Sequence, residues 1–414
     1  MTDCIRVLHV FGTLGHGGAE SRIIDLYRHM DRDRVQFDFV VHYEAEETGK
    51  NCPSSQELLA VRHADYFDEQ VKALGGSIYA VPRFKGLNLA DYQKAWGNLF
   101  EENKNTWHAV QGHMTSTAAI YLPVAKKAGI PLTVAHARSA GTDPGWKGMV
   151  TKVIRSPLQK DGACDVSLAC TREAGEAVFG ARRVREGKVR VVPNAIEVDA
   201  FAFDEKDRKE VRAQYGVEDC VVLGHVGRFH YAKNHAYLLH VFYELKHVTT
   251  LPVKLLLAGE GSLMERAKDE ARVLGIENDV IFAGDRHDIK RFYSAFDYFV
   301  FPSRYEGLPG TVIEAQAAGL PCLVSDTVTR DVDVTTLVRH KSIGEDAALW
   351  AGAILEDLAI RTDETGEHIK MEAIAAYRAE ESVRARAKLK EAGFDVATQA
   401  QMMMKFYESG RFDT

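Results

Sequence analysis

Phe301-Pro-Ser-Arg-Tyr-Glu-Gly-Leu-Pro-Gly-Thr-Val-Ile-Glu-Ala-Gln-Ala-Ala-Gly-Leu-Pro321 is the stretch on which the fold turns. The run 297–301 that leads into it is short, aromatic and β-branched, which reads as a buried strand. Pro302 ends that strand. Gly307, Pro309 and Gly310 then force a loop, because Gly accepts positive φ and Pro cannot continue a helix. A helix is expected from Thr311 to about Gly319. Glu306 therefore falls in the loop and Glu314 in the first helical turn. The unpaired amides and positive dipole end of that helix offer a site for an anion. A diphosphate at the loop, with sugars near Glu306 and Glu314, would use all three features. Two plainer readings stand beside this. Thr311-Val-Ile-Glu314 also matches a capping box, in which the Glu caps its own helix. Glu306 alone could be a solvated loop charge.

Bulk properties narrow the class. The chain has 414 residues, a formal net charge of −7 and 46 % hydrophobic residues. That length suits two domains rather than one core. Mild acidity argues against a nucleic-acid surface. No run of 18 apolar residues occurs, so no membrane-spanning helix is expected. The N-terminus enters a strand at once and lacks the build of a signal peptide. Six scattered cysteines without a C-x-x-C pair read as reduced thiols. The expected setting is cytoplasmic.

Strand and helix patterns alternate along the chain, which indicates parallel sheets with helices on both faces. In the first half strands are expected at 5–11, 35–41, 77–81, 107–111, 132–135, 166–169 and 188–192. The polar segment 44–63 reads as a surface loop or insertion. Residues 193–199 read as a linker. In the second half strands are expected at 220–226, 255–258, 280–282, 298–301 and 322–325, and only helices from 344 onward. The tail 367–390 is charged on most faces. The Met-rich stretch 396–407 is amphipathic and needs an apolar surface, which the first domain could supply. Three segments result: 1–196, 197–390 and a closing helix in 391–414.

Ligands of open parallel sheets sit beyond the carboxyl ends of the strands. One such loop is Val226-Gly-Arg-Phe-His-Tyr-Ala-Lys-Asn234. Arg228 and Lys233 are two cations on one short turn into a helix, a suitable clamp for phosphate. The plain alternative is a solvated surface pair. No Walker A loop occurs, and Gly12, Gly15, Gly17 and Gly18 do not have G-x-G-x-x-G spacing.

Together the patterns G-R-x(4)-K-N and P-S-x-x-E-G-x-P-x(4)-E-A-x-A-x-G-x-P resemble the nucleotide-sugar domain of retaining family 4 glycosyltransferases. Residues 9–20, 165–180 and 192–194 resemble that family's first domain. The likeness covers most of residues 5–326 and is greatest to bacterial transferases that build exopolysaccharide or capsular polysaccharide. It implies the GT-B fold: two Rossmann-like α/β domains facing a central cleft, with a C-terminal helix returning to the first domain. It also implies roles. Arg228 and Lys233 would bind the donor diphosphate, Glu306 the donor sugar and Glu314 the ribose. The amides of Gly307, Leu308, Pro309 and Gly310 would lie along the sugar and distal phosphate, except that Pro309 has no N–H to give. The backbone at His287 and Ile289 would hold the base, which the resemblance suggests is uracil. Gly17 and Gly18 would approach the diphosphate. His136 would stand near the reacting sugar, and His113 would contact sugar or acceptor. A hydrogen-bonded structural role is the alternative for each histidine, and a plain turn into a helix is the alternative for the glycine pair. Gly310 stands where an apolar residue is usual.

The implied reaction is metal-independent transfer of a sugar to a glycan or lipid-linked sugar, with retention and without a cofactor. A nucleotide-sugar epimerase, a phosphorylase or a non-catalytic sugar-nucleotide-binding protein are the competing classes. The stretch 146–160 mixes apolar residues with Lys147, Lys152, Arg155 and Lys160. Peripheral contact with an anionic membrane, at its inner face, is one expectation for it. A core-facing helix with a basic solvent side is the other.

Overall fold

The structure is a computed structural model and describes residues 4–15, 17–50, 52–138, 146–359 and 371–412. His16, the glycine-rich loop 139–145 and the segment 367–370 of the charged tail lie outside the described residues. The chain divides into two compact units, Met1–Ala195 with Val396–Thr414, and Ile196–Asp395.

The first unit is built on seven strands: β1 Ile5–Val10, β2 Val35–Tyr43, β3 Ile78–Pro82, β4 Ala109–Gly112, β5 Leu132–Ala137, β6 Val166–Ala169 and β7 Val189–Val191. Their order is β3-β2-β1-β4-β5-β6-β7 and every pairing is parallel. A parallel sheet buries both faces, so the strands read as near-continuous apolar runs. The second unit holds β8 Val221–Val226, β9 Val253–Ala258, β10 Val280–Gly284, β11 Tyr298–Phe301, β12 Cys322–Ser325 and β13 Val338–Lys341. Their order is β10-β9-β8-β11-β12-β13, again all parallel. Each unit is thus Rossmann-like, and the pair defines the GT-B class. In both, the order reverses beside the first strand, between β1 and β4 and between β8 and β11. Such reversals leave a crevice where ligands bind.

Several expectations change. Segment 44–63 is no bare loop. It contains a helix, Ser55–Val61, whose N-cap Ser54 and Glu57 form a reciprocal capping box. Leu58 of that helix is buried in the core. Strand β13 was not expected, because Val338-Arg-His-Lys341 is mostly polar and pairs only with β12. The stretch 193–199 does carry the junction of the two units, at Ala195–Ile196, and it is packed rather than loose. Ala195 packs into the first core, Ile196 and Val198 into the second. The boundary at its far end falls after Asp395, since Ile196 N–H donates to the Phe394 carbonyl (2.8 Å) and Ile196 bridges Asp395.

The charged tail is a helix, Met371–Glu391, with one buried side. Arg378 is fully buried there and donates to the carbonyls of Ala318 (2.7 Å), Tyr293 (2.8 Å) and Phe296. Gly319, at φ +70°, lets this helix pass, because a Cβ would lie 2.3 Å from the Arg378 carbonyl. The last helix, Val396–Ser409, packs Met403, Met404, Phe406 and Tyr407 into the first core beside Val7, Phe37 and Phe39. The first domain thus supplies its apolar surface. The basic helix Trp146–Arg155 departs from the reading of a core-facing helix with a basic solvent side. Arg155 is buried and donates to the Ala177 carbonyl (3.0 Å), while Met149, Val150 and Val153 are exposed. Among the described residues no helix is long and apolar enough to cross a membrane.

Candidate active site

In the second unit the loops after β8 and β11 flank the crevice. Gly227 follows β8, and a Cβ there would press on the Lys233 side chain at 3.2 Å. Lys233 closes a short 3-10 turn, Tyr231–Lys233. Asn234 then takes the left-handed conformation (φ 58°) at the start of helix His235–Val248. Asn and Gly are the residues that tolerate this conformation best. The Asn234 side chain joins the two loops. Its Nδ2 donates to the Pro302 carbonyl (3.1 Å), and its Oδ1 accepts from Arg304 Nη2 (2.7 Å). The Arg304 N–H donates to the Ala232 carbonyl (2.7 Å).

This stitching brings Lys233 Nζ to 2.8 Å from Glu306 Oε1. Each side chain keeps under a fifth of its surface accessible, 18 % and 17 %. Lys233 Nζ also stands 4.6 Å from the Phe301 ring centre. Arg228 shares the loop, which is held from its other side. Gly227 N–H donates to the Ala258 carbonyl (3.0 Å) and Phe229 N–H to the Glu260 carbonyl (2.9 Å). This close approach needs Gly259, where φ is +138° and a Cβ would lie 2.2 Å from the Gly227 carbonyl oxygen. The loop 259–261 was not singled out from sequence, although its Gly-x-Gly after a strand is a readable signal.

The helix after β11 runs from Gly310 to Ala317, with Pro309 at its N-cap and no side-chain cap. This removes the capping-box reading: Thr311 is not the cap, and Glu314 is the fifth helical residue rather than a first-turn one. Glu314 is buried, and its Oε2 accepts from Tyr293 Oη at 2.7 Å. Tyr293, missed from sequence, thereby orients the carboxylate. Leu308 and Pro309 are buried and Gly307 is partly exposed. After β10, His287 is exposed and Ile289 opens the helix Ile289–Ala295.

In the first unit the crevice lies between the loops after β1 and β4. Gly17 is the N-cap of helix Gly18–Arg28 and makes no side-chain cap. A Cβ on Gly17 would strike the Glu20 carboxylate, while one on Gly18 would meet nothing within 4 Å. His113 follows β4 and His136 is the penultimate residue of β5; both are buried. Two hydrogen-bond chains fix their tautomers. Tyr407 Oη donates to Gln111 Oε1 (2.7 Å), and Gln111 Nε2 donates to His136 Nδ1 (3.1 Å). The His136 proton therefore sits on Nε2, a buried atom with no partner among the described residues. Arg138 Nε donates to His113 Nδ1 (3.2 Å), which puts the His113 proton on Nε2, 3.0 Å from His9 Nδ1. Burial, helped by the Arg138 charge, holds His113 and His136 well below the usual imidazole value and His9 at about 3. His136 is thus a neutral hydrogen-bond donor rather than a base at neutral pH. His9, Gln111, Arg138 and Tyr407 were not singled out from sequence, since a buried polar residue inside an apolar strand carries no local pattern. A pocket of about 560 Å³ opens beside these loops, with Gly12, His42, Arg83, Met114, Thr117 and Ile154 in its lining.

Comparison with known proteins agrees with the fold of both units. The family described as Glycosyltransferase Family 4 matches residues 16–200, and that described as Glycosyl transferases group 1 matches residues 220–359. The EpsF protein of Bacillus subtilis (strain 168), which bears a glycosyltransferase name, is 34 % identical over 84 % of this chain and 86 % of its own length. The UDP-Gal:alpha-D-GlcNAc-diphosphoundecaprenol alpha-1,3-galactosyltransferase of Escherichia coli is 28 % identical over 63 % of this chain and 68 % of its own. Among solved structures, Anabaena HepE in complex with UDP superimposes with a TM-score of 0.72 at 17 % identity, covering 98 % of this chain and 100 % of that one. WaaG, a glycosyltransferase involved in lipopolysaccharide biosynthesis, gives 0.64 at 14 % identity, covering 97 % and 99 %. With both halves matched and EpsF aligned over most of its length, the chain belongs to the family 4 glycosyltransferases.

Proposed function

We propose that this transferase moves a sugar from a nucleoside diphosphate sugar, with uracil as the base, to a hydroxyl of a glycan or lipid-linked sugar in polysaccharide biosynthesis. The observation that carries the reading is the meeting of Lys233 and Glu306 at the crevice of the second unit, with Arg228 on the same loop. Departure of the nucleoside diphosphate leaves positive charge on the sugar and builds negative charge on the phosphate. Fixed cations and amide dipoles stabilise that separation where it develops. Arg228, Lys233 and the open amides of the Gly310–Ala317 helix take the diphosphate. Glu306, drawn off Lys233 as phosphate arrives, holds sugar hydroxyls, and Glu314 the ribose. The amides of Gly307, Leu308 and Gly310 line the sugar, and backbone near His287 and Ile289 holds the base. Gly17 and Gly18 leave room for the diphosphate. In the first unit His136 Nε2–H donates to the reacting sugar, and His113 positions the acceptor.

A hydrolase reading would use Glu306 and Glu314 as an acid–nucleophile pair but gives the two cations no task. Transfer with retention, by same-face attack, needs no carboxylate nucleophile, since the leaving phosphate takes the acceptor proton. No metal or other cofactor enters the scheme, because Arg228 and Lys233 neutralise the phosphate. UDP in the HepE structure and a UDP-sugar in the name of the E. coli relative support the choice of base. The exposed Met149, Val150 and Val153, with the nearby basic residues, suit peripheral contact with an anionic membrane on the cytoplasmic side. The test is product analysis with a UDP-sugar panel and glycan acceptors in the presence of a chelator. The expected result is a glycoside that keeps the donor's anomeric configuration. Inversion, free sugar alone, or loss of turnover on chelation would contradict the reading.

A further inference from the structure

The loop after β5 carries a guanidinium for which the reaction above has no use. Arg138 Nε donates to His113 Nδ1 (3.2 Å) and Arg138 Nη1 to Asn194 Oδ1 (2.6 Å). Both acceptors are neutral. Among the described residues, the groups of anionic type whose charge reaches it are Cys170, Tyr407 and Glu20, and its hydrogen bonds go to His113 and Asn194. On its other sides stand His9, His113 and His136, all held neutral in part by the Arg138 charge. Most of the guanidinium is withdrawn from water, yet part of the residue stays accessible.

That arrangement is costly unless a further group arrives. A charge withdrawn from water requires a counter-charge or a full set of hydrogen bonds. Neutral acceptors such as an imidazole nitrogen and an amide oxygen need only neutral donors, which Gln or Asn could supply. Arginine adds a permanent charge and a planar fork of five N–H groups, of which two are engaged by described residues. Such a fork matches two oxygens of a phosphate. The position is apt, at the carboxyl end of β5, beside His113 and the lone Nε2–H donor of His136.

We propose that Arg138 binds a phosphate oxygen of a substrate, as the anion-binding residue of the first unit. The assignment rests on the transferase reading above. The phosphate has two sources, the donor diphosphate or a phosphate carried by the acceptor, and the chemistry of the contact is the same for both.

The test titrates inorganic pyrophosphate into the full chain by calorimetry, for wild type, R138M, R138K, R228M/K233M and the triple variant R138M/R228M/K233M. R138M is expected to bind about tenfold more weakly than wild type, with a shallower salt dependence. R138K, which keeps the charge but not the fork, should fall between them. If R228M/K233M abolishes binding altogether, the phosphate is the donor's. If R228M/K233M retains a component that the triple variant lacks, it is the acceptor's. A purely structural Arg138 would lower the melting temperature of R138M and leave its pyrophosphate affinity and salt slope at wild-type values, which overturns the proposal. The His136 ring ¹⁵N shifts report that the site is intact in R138M, because Tyr407 and Gln111 still fix that tautomer. Failure of the donor reading shows separately, as R228M/K233M with wild-type affinity while R138M is weakened.

Discussion

Six buried histidines make stability fall steeply as pH drops below neutral. His9, His42, His113 and His136 lie in the first unit, His225 and His235 in the second. Burial lowers His9 to about 3, His42 and His225 to about 4 and His235 to about 2, and holds His113 and His136 well below 6.5. An unfolded imidazole titrates near 6.5, so below that pH the unfolded chain binds protons that the folded chain refuses. Their contribution is therefore complete at about pH 7.5 and is lost as pH falls from 6.5 toward the folded values. At about pH 5.5 each buried imidazole costs about 1.4 kcal/mol. The four in the first unit together cost about 5–6 kcal/mol and the two in the second about 3 kcal/mol. A domain's whole stability is only about 5–15 kcal/mol. The first unit should thus lose much of its resistance to urea between about pH 7.5 and 5.5. Calorimetric unfolding at about pH 5.5, in buffers of different ionisation enthalpy, should show uptake of about five protons. Replacing His42, bonded to the Phe11 carbonyl and the Tyr92 hydroxyl, by Gln should lower that uptake by about one proton. Urea midpoints that do not move over this range, or uptake below about one proton, would refute the argument.

Two substitutions probe how the site is held. Gly259→Ala places a Cβ 2.2 Å from the Gly227 carbonyl oxygen and should shift the Arg228 loop. It is expected to cost about 2 kcal/mol or more by urea melts and to weaken nucleoside diphosphate binding, though the residue touches no ligand; wild-type values for both would count against the loop being set by that contact. Tyr293→Phe removes the hydroxyl bonded to Glu314 and should cost about 1–2 kcal/mol. Donor KM should rise about threefold to tenfold with kcat nearly constant, as expected of a ribose contact made equally in ground and transition states; a fall in kcat alone would assign Glu314 another role.

Much of this was legible in the sequence because it follows local rules. Pro302, Gly307 and Pro309 announced the strand–loop–helix unit, and β6, β11 and β12 lie at the residues their apolar runs suggested. What stayed hidden depends on distant partners. The capping-box alternative at Thr311–Glu314 falls only because Pro309 holds the N-cap position, and Tyr293, which binds Glu314, comes from a different helix. Arg138, His9 and Gln111 are joined through β1, β4, β5 and the last helix, far apart in the chain. Strand β13 was missed because an edge strand can be polar, and Arg155 because this helix exposes Met149, Val150 and Val153 and buries a cation, the reverse of what its residue types suggest. The Ser54–Glu57 capping box was readable and was passed over amid polar neighbours.

The central claim is that Arg228 and Lys233 grip the donor's diphosphate. It is tested most directly by calorimetric titration of the full chain with UDP, GDP and ADP, followed by titration of R228M/K233M with whichever wild type binds best. Loss of two charge-assisted contacts should weaken binding about 100-fold or more. Affinity of the double variant within about twofold of wild type, with its fold intact, would contradict the account.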